Sequence, residues 1–190
     1  MALTPQSLTG RMLIAMPGID DPRFERAVIF VCAHNDEHAM GLMVNRPVDG
    51  LTTPALLARL GVESDISMPE DLVLFGGPVE RERGFVLHTR DYASTPGTLN
   101  IDASVGLTAT RDVLEAMADE DRRPRRSVLA LGYAGWGGGQ LESEIRQNVW
   151  LTCEPHEALL FGPDHEHKWS MALARIGVSA DRLSTLAGRA

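Results

Sequence analysis

The feature that most constrains this chain is a run of glycines in one place: Gly132-Tyr133-Ala134-Gly135-Trp136-Gly137-Gly138-Gly139. A strand-like run, Ser127–Leu131, leads into it, and a helical pattern, Leu141–Asn148, leaves it. The spacing therefore predicts a glycine loop between a strand and a helix. Glycine tolerates positive φ and lets another backbone or a ligand come close. A helix N-terminus also exposes backbone N–H groups that can hold an anion. Gly135, Trp136, Gly137, Gly138, Gly139 and Gln140 are thus candidate residues for a ligand or anion site. The second glycine turn, Phe75-Gly76-Gly77-Pro78, adds Gly76 and Gly77.

The pattern argues against a nucleotide loop. No Gly-Lys-Ser/Thr follows, and Gly137-x-Gly139 is followed by Glu142 where a third glycine is required. Glu142 and Glu144 would repel an anion and themselves favour the helix start. The preferred reading is a tight strand-to-helix turn packed under Trp136.

The remaining chain reads as strands first and helices later. Met12–Met16 and Ala27–Cys32 are apolar, β-prone runs, the second a central strand. Met40–Val44 gives a hairpin, closed by Asn45-Arg46-Pro47 because proline stops the ladder. Thr52–Gly61 is a helix with Thr53 as N-cap, Pro54 in the first turn and Gly61 as its stop. Its apolar face is Leu56, Leu57 and Leu60. Ser64–Glu70 is a linker. Strands are expected at Leu72–Phe75, Phe85–His88, Thr98–Ile101 and Ser104–Leu107, with Glu80–Arg83 as a turn. Val113, Leu114 and Met117 mark a second helix. Trp150–Cys153 reads as a strand and Glu157–Phe161 as a short turn of helix or a strand. Asp164–Ile176 is a helix with Asp164 as N-cap, and Leu183 and Leu186 pin a last turn before a mobile tail. Regular βαβ alternation is missing from the first half. The fold class is therefore α+β, with a mixed, largely antiparallel bent sheet flanked by helices.

Length and charge narrow the function. A chain of 190 residues suits a single domain. A net charge of −8 disfavours a general polyanion binder. Two cysteines, Cys32 and Cys153, make no disulfide framework and suit a reducing cytoplasm. No apolar run approaches the roughly 20 residues that cross a bilayer.

Several motifs stand in matching order with one family: Leu13-Ile14-Ala15-Met16-Pro17, Gly41-Leu42-Met43-Val44-Asn45-Arg46-Pro47, Phe75-Gly76-Gly77-Pro78-Val79, Gly132-Tyr133-Ala134-Gly135-Trp136 with Gly139-Gln140-Leu141-Glu142, and Lys168-Trp169. Together with the closing Ala187-Gly188-Arg189-Ala190, they resemble the AlgH-like (YqgE) family of bacterial proteins across 1–190. The resemblance implies an α+β domain with bent, partly barrel-like sheets. The family is named for a proposed transcriptional regulator of alginate synthesis. The resemblance implies no enzymatic activity, cofactor or catalytic residues. The closing motif departs from the Gly-His-Ala expected there.

Glu142 and Arg146 are spaced to pair on one helix face. Glu142, Glu144 and His88 are the acid–base candidates for an enzyme. Cys32 and His34 would share a strand face, with His38 near, but a buried strand favours a buried thiol over a metal site. His165 and His167 point apart on a helix. Cys153 and His156 are a dyad by proximity only. Arg122, Arg123, Arg125 and Arg126 form a basic patch offset by Asp119, Glu120 and Asp121. The sequence expects no metal and no cofactor. The first reading is a binding or regulatory module for a small ligand or protein partner. The alternative is an enzyme using a pocket at Gly132–Trp150, and direct DNA binding is the weakest.

Overall fold

A computed structural model describes residues 6–187 except 65, 67, 69 and 95. Its strands in chain order are β1 (Met12–Ala15), β2 (Val28–His34), β3 (His38–Met43), β4 (Pro47–Thr52), β5 (Leu72–Phe75), β6 (Val79–Thr89), β7 (Thr98–Asn100), β8 (Val105–Thr108), β9 (Ser127–Gly137) and β10 (Trp150–Cys153). The helices are α1 (Thr53–Arg59), α2 (Arg111–Met117), α3 (Gln140–Arg146), α4 (Glu157–Leu160), α5 (Lys168–Arg175) and α6 (Ala180–Ala187). The strands form one curled sheet, a half-barrel in the order β10-β1-β2-β3-β9-β6-β8-β7. All of these neighbours are antiparallel. β5 joins β9 in parallel and carries β4 on its other side. The fold is α+β, as expected.

β9 organises the sheet. Its first half lies between β6 and β5, and its second half pairs with β3. The expected glycine loop is therefore mostly strand, and only Gly138 and Gly139 turn the chain into α3. Gly132, at φ +74, sits where β9 changes partners. The Gly76 N–H donates to the Leu131 carbonyl, and the Met43 N–H donates to the Gly76 carbonyl, both at 2.8 Å. The end of β5 thus stitches β9 to β3. Side chains on Gly76, Gly77 or Gly132 would overlap the backbone of the facing segment. The two glycine motifs are rich in glycine because they pack against each other.

β1 and β2 are covered on both faces, which explains their unbroken apolar runs. Met12, Ile14, Val28 and Phe30 face a core with Leu159, Leu160, Trp169 and Leu173 from α4 and α5. Leu13, Ala15, Ile29 and Val31 face the opposite core, with Trp136, Leu141 and Trp150. A third cluster packs Val113 and Met117 of α2 on Val73, Val86 and Leu129.

Several local expectations are corrected. Pro47 opens β4 instead of ending the ladder, because it pairs with Leu74 at a sheet margin where its missing N–H is tolerated. Thr52, not Thr53, caps α1, accepting from the Ala55 N–H at 3.3 Å. Leu60 is 44% exposed and leaves the apolar face of α1. Glu80–Arg83 is a bulge within β6, between the Val79–Tyr133 and Gly84–Leu131 pairs. Asp164 bonds the His167 ring, not a helix N–H, and a 3-10 turn, His165–His167, precedes α5. Parts of the expected linker, the Leu186 side chain and the closing motif at 188–190 lie outside the described residues.

Candidate functional site

The curl of the sheet leaves a groove of 620 Å³ on its inner side. Met40, Phe85, Leu107 and Tyr133 line it, and all four belong to or pack on the core under α4 and α5. Strand alternation decides which part of the glycine stretch reaches it. Gly135 and Gly137 open on the groove beside Tyr133, and their missing side chains keep it clear. Trp136 borders it, but its indole is buried edge-on to Trp150, with ring centroids 6.1 Å apart. Gly138, Gly139, Gln140, Gly76 and Gly77 lie outside the groove. A Cβ on Gly138 would stand 2.7 Å from the Asp36 carbonyl oxygen, so that glycine serves packing against the β2–β3 turn. The packing partner is that turn, not Trp136. Gln140 accepts from the Gly137 N–H at 3.0 Å and closes the start of α3.

The groove rim is mixed. Val79 and Leu99 are 37% and 47% exposed, two of the few large apolar side chains open to solvent. Arg83 lies over the Phe85 ring, 5.1 Å from its centroid, and meets Glu80 in one contact of 3.5 Å. Glu80 has φ +46, a left-handed conformation costly for a residue with a Cβ. The Tyr133 hydroxyl and the His38 ring make no hydrogen bond among the described residues.

The acid–base candidates do not meet there. His88 is fully buried between the Thr89 carbonyl (2.8 Å) and the Thr108 hydroxyl (2.7 Å). Burial lowers its pKa, against the Thr89 carbonyl and Asp91, so it is a neutral structural histidine. Glu144 accepts from Trp150 Nε1 and Gln140, both at 3.3 Å.

Glu142 does not pair with Arg146; it meets His34 across the fold. Burial opposes ionisation of Glu142, but its own backbone N–H and His34 outweigh it and hold the carboxyl below its usual range. The other ring nitrogen of His34 accepts from the Leu8 N–H at 2.9 Å, so both nitrogens are engaged. The β-bulge between Val31 and Ala33 turns His34 away from Cys32, which lies in the opposite core. The expected common face is lost. Burial pushes the Cys32 thiol up to about 12. His156 caps α4 through the Ala158 N–H and forms no dyad with Cys153. Among the described residues no group of three His, Cys, Asp or Glu could hold a metal ion, and no helix is long and apolar enough to cross a membrane.

Sequence reasoning missed the His34–Glu142 pair, which is separated by most of the chain. It also missed Met40, Phe85, Leu107 and Tyr133 as one surface. Their only sequence signal was placement on four strands with apolar alternation.

The AlgH-like family model matches residues 12–181. The chain belongs to the AlgH-like family. A UPF0301 protein of Caulobacter vibrioides is 64% identical over 183 residues, covering 96% of this chain and 94% of the relative. A Rhodospirillum rubrum UPF0301 protein is 48% identical, with 96% and 94% covered. The solution structure of the Pseudomonas aeruginosa AlgH protein is 39% identical and covers 100% of this chain and 98% of its own, with a TM-score of 0.76. A Corynebacterium diphtheriae crystal structure, 16% identical, shares the fold at a TM-score of 0.73, with 92% of this chain and 90% of that one covered. Two of the AlgH-like motifs, at Phe75–Val79 and Gly132–Trp136, pack backbone to backbone within the half-barrel.

Proposed function

We propose that this AlgH-like protein is a non-catalytic binding module whose groove takes a small, mainly apolar ligand. One observation carries the reading. Tyr133, Gly135 and Gly137, from a single motif, open on a groove whose floor is apolar and whose Tyr133 hydroxyl has no hydrogen-bond partner among the described residues. A ligand with an aromatic or aliphatic body would cover Phe85, Met40 and Leu107 and place one polar group near that hydroxyl. Concave, mostly apolar sites with few polar groups are the usual form of small-molecule pockets. The strained Glu80 at the rim supports the same reading, since such strain gathers at functional sites. Direct DNA binding has less support, because Arg122 and Arg125 are engaged by Asp119 and Glu157.

The test is a fragment screen by thermal shift and by NMR of the tyrosine and methionine signals. Gly135→Leu would fill the groove without forcing the backbone, since a Cβ there meets only ordinary contacts of 3.5 Å or more. Ligands should perturb Tyr133 and Met40 and lose their effect in Gly135→Leu. If hits map elsewhere, or survive that substitution, the groove is not the site.

A further inference from the structure

β9 changes what it offers after Tyr133. Its last pair with β6 is Val79–Tyr133, and from Ala134 to Gly137 it pairs with β3 alone. β6 does not extend back to fill that lane, because Gly76-Gly77-Pro78 turns away toward β5 and the Gly76 N–H donates to the Leu131 carbonyl. Among the described residues, the side of β9 away from β3 is therefore a strand edge, and it borders the groove.

Hydrogen bonds elsewhere tell which residues face that edge. The Met43 N–H donates to the Gly76 carbonyl, on the β5–β9 side of β3. The Val44 N–H donates to the Val28 carbonyl, and the His38 carbonyl accepts from the Asn35 N–H, both on the β2 side. Backbone groups alternate sides along a strand, so Ala39 and Gly41 face β9. Their register partners, Trp136 and Ala134, face back. Gly135 and Gly137 point the other way. The Gly137 N–H agrees, since it donates to the Gln140 side chain at 3.0 Å and not to β3. Gln140 closes that position at the start of α3. The open rung is Gly135, whose N–H and carbonyl have no protein partner among the described residues. Gly135 is exposed and lacks a Cβ, so another backbone can come close.

We propose that the ligand of this groove is a short extended peptide segment with an apolar side chain, added beside β9 as an antiparallel rung at Gly135. The proposal rests on the groove being a binding site. An apolar floor alone accepts many bodies. A donor and an acceptor on one residue of a strand edge select a ligand with the same pair on one residue, which is a peptide backbone. The peptide residue opposite Gly135 would donate its N–H to the Gly135 carbonyl and accept from the Gly135 N–H. Its side chain would fall on the face where Gly135 has none, beside Tyr133, Phe85 and Met40. Bare edges are templates for such pairing.

NMR titration of the full chain tests it, with N-acetyl, N-methylamide tripeptides that carry Leu, Phe or Met between two alanines. At least one should give saturable shifts at Tyr133 and Met40, move the Gly135 amide proton downfield and slow its exchange with solvent. Replacing the central peptide N–H by an ester oxygen removes the donor to the Gly135 carbonyl and keeps the side chain. That ester should bind about tenfold more weakly. An ester that binds as tightly as the peptide, with Tyr133 and Met40 perturbed, overturns the peptide rung and leaves the groove as a site for apolar ligands. Peptides that shift none of Tyr133, Met40 and Gly135 also overturn the proposal, and the groove itself fails only if apolar fragments miss it too. A free protein that sediments as a dimer with the Gly135 amide already protected would assign the edge to a second copy, which overturns it as well.

Discussion

A side chain on Gly132 would run into the carbonyl oxygen of Gly77. The contact joins two glycine motifs far apart in sequence and fixes the point at which β9 passes from one set of neighbours to another. Gly132 also has φ +74. Gly132→Ala should therefore cost more than the roughly 1–2 kcal/mol of a left-handed alanine alone. Gly135→Ala, whose Cβ would meet only ordinary contacts of 3.5 Å or more, should change stability by less than about 1 kcal/mol. Urea denaturation of the two variants separates the positions. Equal losses would show that the crossing is not tight.

His34 links three segments, since it accepts from Leu8 and pairs with Glu142 on α3. His34→Ala leaves the Leu8 N–H without its acceptor and should destabilise by about 1–3 kcal/mol. Hydrogen exchange should rise at Leu8 and in α3 together. Exchange that rises at only one of them would show that the two are not coupled through His34.

The Tyr92 hydroxyl donates to Asp112 at 2.8 Å, and the pair should shape stability at both ends of the pH scale. Hydrogen bonds from the Ser94 and Thr110 side chains, then Tyr92, hold Asp112 down at about 2 despite partial burial. A depressed folded pKa means stability present above the unfolded value and lost as pH falls from about 4 toward 2. Burial, then Asp112, pushes Tyr92 up to about 12. That contribution is complete below the unfolded value near 10 and is lost as pH rises toward 12. Asp112→Asn should flatten the acid limb and shorten the alkaline one in denaturant titrations. Two limbs identical to wild type would contradict this.

Lys168 is fully buried and donates to the Val44 carbonyl at 2.8 Å. Burial lowers its pKa to about 8. Between that value and the unfolded one near 10.5, the unfolded chain binds the extra proton, so stability rises with pH across that window. Lys168→Met should abolish the rise. A slope that persists in the methionine variant would assign it to another group.

The α+β class, the central position of β2 and most strands were legible because apolar runs and turn residues mark them locally. Thr52 and Thr53 show the limit of that reading. Either can cap a helix, and only the backbone shows which side chain reaches Ala55. Glu80–Arg83 looked like a turn because four charged residues give no strand signal, yet β6 continues through them as a bulge. The glycines of β9 hid a strand for a related reason. Low intrinsic β-propensity is overruled when facing backbone fills the space that side chains would take. The groove was half legible. Gly135 and Gly137 were singled out, but Met40, Phe85 and Leu107 are brought beside them only by the curl of the sheet. His34 and Glu142 were each noticed, and nothing in their spacing reveals that they meet.

The place of β9 in the sheet also sets the order in which the chain can be completed during synthesis. β3 and β6 are made long before residues 127–137, which bond to an edge of each. A nascent chain that stops short of β9 holds two incomplete half-sheets with bare backbone edges, the form most open to pairing with other chains. Non-local closure of this kind is slow. Ribosome-stalled chains ending before Ser127 should accordingly bind chaperones and resist compaction, and those that expose residues through Gly137 outside the tunnel should not.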